Sequence, residues 1–496
     1  MEKLSKVKRM LDSVHGQIKI PKDWCEKIID TPYFQRLRRI EQNSCRTVFP
    51  SARHDRFIHS LGVFHLGCQI INCINEQLKD EQTERLNPLY ESYRLACLLH
   101  DVAHAPFSHT FESFYDNQWS DLRGKLCEIV NVQQFTEDWD SIPDPSAPHE
   151  RMSAIVALGI YGKFIERKGG NKELVARMIT GIEYSDKIKY SLENAMINLI
   201  HGEVIDADGL DYVCRDAWAS GYSTAKVDVE RLIASIKIVK DVYGIYHLCY
   251  TTKCLNEIEA VLKVKSFQQF YVINHHTVTY EQKLLVKAME SAAVYHYFGE
   301  INVSDKAKRK EALEKLCNIK TFYNDNNEVG IKTEHTSIKV SLPMDDDFIS
   351  LMKYIKEDKY VKQWLSRNYN LVALWKSKAD FYQIFNSLRG AVLKKKSWIF
   401  HPDCRTFIAK KFTISEDDIW ITRATPKYKG NYAKKVELYV NEEIIGYQEL
   451  FPTDVHSYEP PQNEFYYVYV PRSVNKDDIL KALKEEVLKY FMERNR

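Results

Sequence analysis

The sequence predicts a mostly α-helical protein, a helical core followed by a smaller C-terminal α+β lobe. Glycine and proline are sparse, at 18 and 15 of 496 residues, so long helices meet few breakers. Apolar residues recur at helical spacing early in the chain, and β-formers gather only near its end. With 44% apolar, 28% charged and 12% aromatic residues, the composition suits a large core and excludes a disordered chain.

Phe57, Leu61, Phe64, Cys68 and Ile71 recur at helical spacing and predict one amphipathic helix over residues 56–77. Leu95, Leu98 and Leu99 predict a second helix ending near Asp101. Residues 136–148 are polar and carry Pro143, Pro145 and Pro148, so they read as a loop that ends before a helix at His149. Residues 254–299 give another long helical stretch. Val436–Val440 alternates apolar and polar residues and Phe465–Val470 is rich in β-formers, so both read as strands; residues 476–493 close as a helix. Asn324, Asp325, Asn326 and Asn327 mark a boundary between 300 and 340. The expected division is a helical domain over 1–320, with its chemical core at 50–220, and an α+β lobe over 321–496 serving oligomer contacts or regulation.

A formal net charge of +2 points to no particular partner. Lysines cluster late, at Lys394, Lys395, Lys396, Lys410, Lys411, Lys427, Lys429, Lys434 and Lys435. They read as a solvated face or as a surface for a polyanion such as nucleic acid. The 11 cysteines scatter from Cys25 to Cys404 without a C-x-x-C pair, the pattern of reduced cytoplasmic thiols rather than a disulfide framework. Met1–Lys6 lacks the apolar run of a signal peptide, and no stretch approaches the roughly 18 apolar residues that span a bilayer. The expected address is the cytoplasm, with no membrane partner.

Four residues stand out chemically. His59 lies on the first helix, His100 and Asp101 are adjacent at the end of the second, and Asp208 sits in the segment Asp206–Asp216, DADGLDYVCRD. Imidazole with carboxylate suits a divalent iron, manganese, nickel, cobalt or zinc ion. Ligands from separate helices can converge on an ion between them. A His-Asp pair on an apolar helix calls for a metal or a partner, because buried charge must be compensated. Taken singly, each has a plain structural reading as a hydrogen-bonded core histidine or a cap carboxylate.

Three further features of the text narrow this. Asp30–Gln42, DTPYFQRLRRIEQ, runs on to Val48–Pro50 and to Arg56–Gly62, RFIHSLG. Leu99–His109 reads LHDVAHAPFSH, and the Asp206–Asp216 segment follows. In this order they resemble the HD-domain superfamily, in the branch of sterile-alpha-motif and HD-domain dNTP triphosphohydrolases and their bacterial relatives. The resemblance is strong over residues 8–220 and weaker beyond. It starts almost at the first residue, which predicts no preceding sterile-alpha-motif domain.

The resemblance implies metal ligation by His59, His100, Asp101 and Asp208, and hydrolysis of a dNTP at the α-phosphorus to a nucleoside and triphosphate. Magnesium would accompany the substrate triphosphate. It places His104, His109, Glu112 and His149 at the reaction centre, with His149 as general acid, Glu112 and His104 orienting it, and His109 on phosphate or water. It also places Gln42, Arg56, Tyr212 and Asp216 on the nucleotide. By spacing, Asp208, Tyr212 and Arg215 would share a helical face. Two departures leave the nucleotide open. Gly209 stands where the family often has lysine, and Lys265 and Ile273 stand where an arginine and a tyrosine are expected. Asp30, Gln35 and Arg38 match an activating-nucleotide site at a subunit interface, and the resemblance implies a homo-oligomer, a tetramer or dimer. A role in nucleotide-pool control or phage defence follows from the same analogy. Two other functions stay open: an HD phosphodiesterase on cyclic or oligonucleotide substrates, and a non-catalytic nucleotide or nucleic-acid sensor.

Overall fold

A β-hairpin, β1 (Val7–Asp12) and β2 (Gly16–Pro21), leads the fold; Gly16 supplies the positive φ of 71° that its turn requires. The computed structural model describes residues 6–79, 81–112, 115, 119–142, 146–202, 205–222, 227–301, 303, 305–316, 329–332, 337–340, 342–385, 402–424, 436–450 and 465–494. The expected boundary at 320, its marker residues 324–327, Pro143, Pro145 and the lysines at 394–396, 427, 429, 434 and 435 lie outside that set.

The protein is mostly helical, as expected. Helix α1 (Arg56–Asn75) starts where the Asp55 side chain accepts from Ile58 N at 2.9 Å. It is not amphipathic: Phe57, His59, Ser60, Leu61, Gly62, Val63 and Phe64 are buried in succession, so the helix is wrapped on nearly every side. By length and composition it is apolar enough to cross a membrane, contrary to the expectation that no segment is, yet 67% of its most apolar stretch is buried inside the protein. Helix α2 (Thr83–Leu99) packs beside it and stops one residue before His100.

The loop expected over 136–148 is shorter, because a helix occupies Gln133–Asp140. Its buried Phe135 and Trp139, four residues apart, anchor that helix despite its polar text. Helix α3 (Pro148–Arg167) then starts with proline at its first position, where the missing N–H costs nothing. Helix α4 (Ala207–Ser220) ends on Gly221 in the left-handed conformation. The helical stretch over 254–299 is two helices, α5 (Leu255–Phe267) and α6 (His276–Phe298), joined through a π-helical turn at Gln268–Ile273. The Asn274 side chain donates to Gln269 O at 2.7 Å and closes that turn.

Both expected late strands form, and so does the closing helix α8 (Lys476–Arg494), which follows α7 (Asp345–Tyr354) in the C-terminal part. The hairpin β3 (Ile236–Lys240) and β4 (Tyr246–Thr251) was not legible in the sequence. Strand β9 (Glu437–Val440) pairs parallel to β4 and antiparallel to β10 (Glu443–Gly446). The resulting order β10-β9-β4-β3 joins the late chain to the helical part. A second sheet has the order β7-β11-β8, from Leu371–Ala373, Phe465–Pro471 and Trp420–Ala424. The hairpin β5 (Val329–Lys332) and β6 (Ser337–Val340) forms a two-stranded sheet of its own. One continuous hydrophobic core runs from Ile18 to Leu483 and includes both parts.

Leu438 on β9 is fully buried. Leu438→Ala should therefore destabilise the protein by about 2–5 kcal/mol in urea unfolding. Amide exchange should quicken on β3 and β4 as well. An unchanged midpoint would mean that the parallel pairing bears no stability.

Candidate metal centre

The site is built where three helix ends meet. His59 lies one turn into α1 and is fully buried. His100 caps α2, with Asp101 beside it, and Asp208 stands in the first turn of α4, whose N-cap Asp206 accepts from Gly209 N. His59 Nε2 is 2.9 Å from Asp208 Oδ1, 3.3 Å from His100 Nε2 and 3.6 Å from Asp101 Oδ2. His100 Nε2 is 3.5 Å from Asp101 Oδ2 and 3.7 Å from Asp208 Oδ1. One ligand atom each from His59, His100 and Asp208 lies within 4.8 Å of the others, a group able to hold a metal ion.

The other imidazole nitrogens are already occupied. His59 Nδ1 meets Asp211 Oδ2 at 2.7 Å and His100 Nδ1 meets the Cys97 carbonyl at 3.0 Å. Such partners fix the ring and leave Nε2 as the ligand, the usual outer-sphere arrangement of metal-binding histidines. The donors thus fit a divalent transition ion. Burial disfavours a proton on His59, but its bonds to Asp208 and Asp211 outweigh that and push the imidazole up to about 10. Asp208, also opposed by burial, is lowered to about 2 by its bond to His59. Asp101 stays well below the carboxylate range because the Arg56 charge overcomes its burial.

Asp211 was not singled out from the sequence. Its carboxylate also meets His15 Nε2 at 2.7 Å and accepts from Arg215 Nε and Nη2, both at 2.8 Å. Arg215 reaches on to Asp12 Oδ2 at 2.8 Å, and Asp12 Oδ1 accepts from Val14 N and His15 N in the hairpin turn. Arg215 thus pairs with Asp211 and Asp12. The i,i+4 spacing of Asp211 and Arg215 was the available signal. Gly62 makes room for the network: a Cβ there would lie 1.8 Å from Asp211 Oδ1.

A second cluster adjoins. His104, His109 and His149 each bring a ring nitrogen within 4.8 Å of the others. Glu112 Oε1 meets His149 Nδ1 at 2.8 Å, and Oε2 meets His109 Nδ1 at 3.4 Å. His149 and His104 face each other with ring centroids 4.5 Å apart. Burial and then the Arg56 charge hold His104 neutral. In His149 burial is outweighed by Glu112, which raises its pKa. Glu112, despite burial, is held well below its ordinary value by His109 and His149.

The remaining expected residues divide. Arg56 is buried, with Nη1 on Asp101 Oδ2 at 2.7 Å, Nε on Ser108 Oγ at 3.0 Å and Nη2 on the Gln42 carbonyl at 3.1 Å. Gln42 is also buried, and its Oε1 has no hydrogen-bond partner among the described residues. Asp216 meets His54 Nε2 at 2.6 Å. Lys265 Nζ lies 5.6 Å from the Tyr212 ring centre. A Cβ at Gly209 would stand 2.8 Å from that Nζ, so the lysine from α5 fills the space beside the glycine. Ile273 ends the π-helical turn after α5. Farther out, Asp30 pairs with Lys8 at 2.9 Å, while Arg38 Nε donates to Gln35 Oε1 at 3.0 Å and its guanidinium covers Phe57 at 3.5 Å.

Asp211→Asn should weaken Mn²⁺ binding about 10–100-fold, the usual cost of losing an outer-sphere partner. Titration of the metal into protein with wild-type circular dichroism reads this; equal affinity would dismiss the network as a metal-orienting device. Gly62→Ala should cost about 1–3 kcal/mol in thermal or urea unfolding, because Asp211 and Arg215 must shift to admit the methyl group.

No protein-family model matches the chain. It is 28% identical over 311 residues to a deoxynucleoside triphosphate triphosphohydrolase SAMHD1 homolog of Dictyostelium discoideum, covering 60% of this chain and 54% of that protein. It is 26% identical over 284 residues to an HD domain-containing protein of Acanthamoeba polyphaga mimivirus, covering 55% of each. The matched region spans about half the length of these curated relatives. A phosphohydrolase from Bacteroides thetaiotaomicron shares the fold, with a TM-score of 0.61 at 19% identity over 94% of this chain and 100% of that one. The chain is thus related to the HD-domain proteins and, among them, resembles the deoxynucleoside triphosphate triphosphohydrolases.

Proposed function

We propose that the chain is a metal-dependent dNTP triphosphohydrolase that turns a dNTP and water into a deoxynucleoside and inorganic triphosphate. One juxtaposition carries this reading: the His59, His100, Asp101 and Asp208 donors adjoin a His149–Glu112 pair built to hold a proton. His59, His100, Asp101 and Asp208 would ligate one manganese, iron, nickel, cobalt or zinc ion, with magnesium on the substrate triphosphate. Such an ion, when bound, lowers the pKa of water and offsets phosphate charge.

The chain's own residues supply the rest. Water attacks the α-phosphorus and the bond to the sugar oxygen breaks. That oxygen takes the proton of His149, whose Nδ1 is held by Glu112 at 2.8 Å. Neutral His104 packs on the His149 ring and keeps a second charge away from it. His109, with its side chain 48% exposed, faces the phosphates. Lys265 contributes charge to the triphosphate, though without the two-pronged grip of arginine. Tyr212 limits the sugar edge, Asp216 accepts from the sugar hydroxyl, and Gln42 offers its unpartnered oxygen. Arg56 acts from behind by holding Asp101.

Asp30, Gln35 and Arg38 would bind an activating nucleotide in a homotetramer or dimer, and the reaction would serve nucleotide-pool control or phage defence. The metal-loaded chain should be incubated with each dNTP singly and then with all four pooled. Nucleoside and triphosphate from single substrates are expected of an unregulated enzyme; the same products only from the pool would mean activation by one nucleotide. No turnover with metal bound would refute the assignment and turn attention to cyclic and oligonucleotide substrates, or to a non-catalytic sensor.

His149→Ala should lower kcat roughly 10²–10⁴-fold with metal content retained. The general acid works protonated, so kcat should fall as pH rises through the raised pKa of His149. Glu112→Gln removes the hydrogen-bonded charge that contributes first to raising it, ahead of Glu150 and Asp101, so the alkaline limb should move to lower pH. A limb that stays in place would exclude His149 as the acid.

A further inference from the structure

The loop that presents His104 and His109 is held by residues from far along the chain. Asp345, the first residue of α7, is 4% exposed. Its Oδ1 accepts from Phe107 N at 2.6 Å and its Oδ2 from Glu41 N at 2.9 Å. Phe107 and Ser108 sit at φ values of 55° and 52°, a left-handed region that L-residues other than glycine adopt uncommonly. A buried N–H in such a turn needs an acceptor, and the Asp345 carboxylate is the one Phe107 has.

A second bond set repeats the link. Arg36, 2% exposed, donates Nη2 to the His104 carbonyl at 2.8 Å and to the Pro343 carbonyl at 2.9 Å. One guanidinium thus ties the backbone of a reaction-centre histidine to the segment before α7. Phe348, one turn into α7, packs on Phe107 with ring centroids 6.4 Å apart. From the loop the chain of contacts continues inward. Ser108 Oγ donates to the Glu41 carbonyl and accepts from Arg56 Nε, and Arg56 binds Asp101.

We propose that Asp345 is a positioning residue for the reaction centre: it fixes the left-handed turn at Phe107 and so aligns His104 and His109 with His149. The inference rests on the reaction proposed above for its kinetic test but not for its structural one. Among the described residues Asp345 bonds to Phe107 N and Glu41 N and to none of His59, His100, Asp101 and Asp208, and it reaches Asp101 only through Ser108 and Arg56, so loss of its carboxylate should separate turnover from metal binding. A chain cut at the expected boundary at 320 would keep the metal donors and lose this brace.

The test uses the full chain with Asp345→Ala and the milder Asp345→Asn, which keeps one acceptor oxygen. Three readouts apply: dNTP turnover, Mn²⁺ affinity by titration, and the imidazole NMR signals of ¹⁵N-histidine-labelled protein. The expected result for Asp345→Ala is a kcat lower by about 10²-fold, the cost of an ångström-scale misplacement. KM and Mn²⁺ affinity should change by less than about threefold, a shift of under half a log unit. Asp345→Asn should fall between, and the His104, His109 and His149 signals should move while those of His59 and His100 stay. Unchanged kcat and unchanged signals would overturn the proposal. So would parallel losses of kcat, metal affinity and all histidine signals, since they would mean a general structural role. Should Asp345→Ala fail to fold, Asp345→Asn decides on the same readouts. If wild type hydrolyses no dNTP, the reaction falls but the NMR comparison still decides the positioning.

Discussion

The buried Asp211 carboxylate is the interaction on which the rest of the site depends. It meets His59, His15 and both prongs of Arg215, with no side-chain exposure. Removing one partner from a buried ion pair typically costs about 3–5 kcal/mol, because a charge is left uncompensated. The same bonds orient His59 Nε2 toward His100 and Asp208. Stability and ligand geometry therefore come from one group. Through Asp12 and His15, the hairpin turn at the start of the fold also takes part in holding the candidate metal centre.

Two electrostatic environments stand side by side. Near His59 and His100 gather the carboxylates of Asp101, Asp208 and Asp211. Near His149, Glu112 first and then the Glu150 and Asp101 charges favour a protonated ring, while its neighbour His104 is kept neutral. Two adjacent imidazoles in differently shifted states suit an acid–base step, because only one must carry the proton. Arg56 separates the halves: it holds Asp101 on one side and Ser108 of the histidine loop on the other.

The late chain is more than an appended lobe. Strand β9 completes a sheet begun by β4, and the Pro343–Asp345 segment grips the loop of His104. The shared core from Ile18 to Leu483 has the same consequence. Short, buried hydrogen bonds thus join the Pro343–Asp345 segment to the loop that carries His104 and His109.

The sequence by itself determined the helical class and the late strands, since helical spacing and β-former runs are local patterns, and it singled out His59, His100, Asp101 and Asp208, whose side chains the structure brings close together. It misjudged α1 as amphipathic because a helix buried on all sides keeps some apolar periodicity while losing its exposed face. It read residues 136–140 as loop, where two aromatic anchors outweigh a polar text and extend a helix to Asp140. Only the tertiary structure revealed Asp211, His15, Asp12, Arg36 and Asp345. Their partners are the hairpin turn, α1, the histidine loop and α7, as far as 307 residues apart between Arg36 and Pro343. A carboxylate's role at such distance is set by which backbone donors and rings the fold buries against it, and no local spacing encodes that.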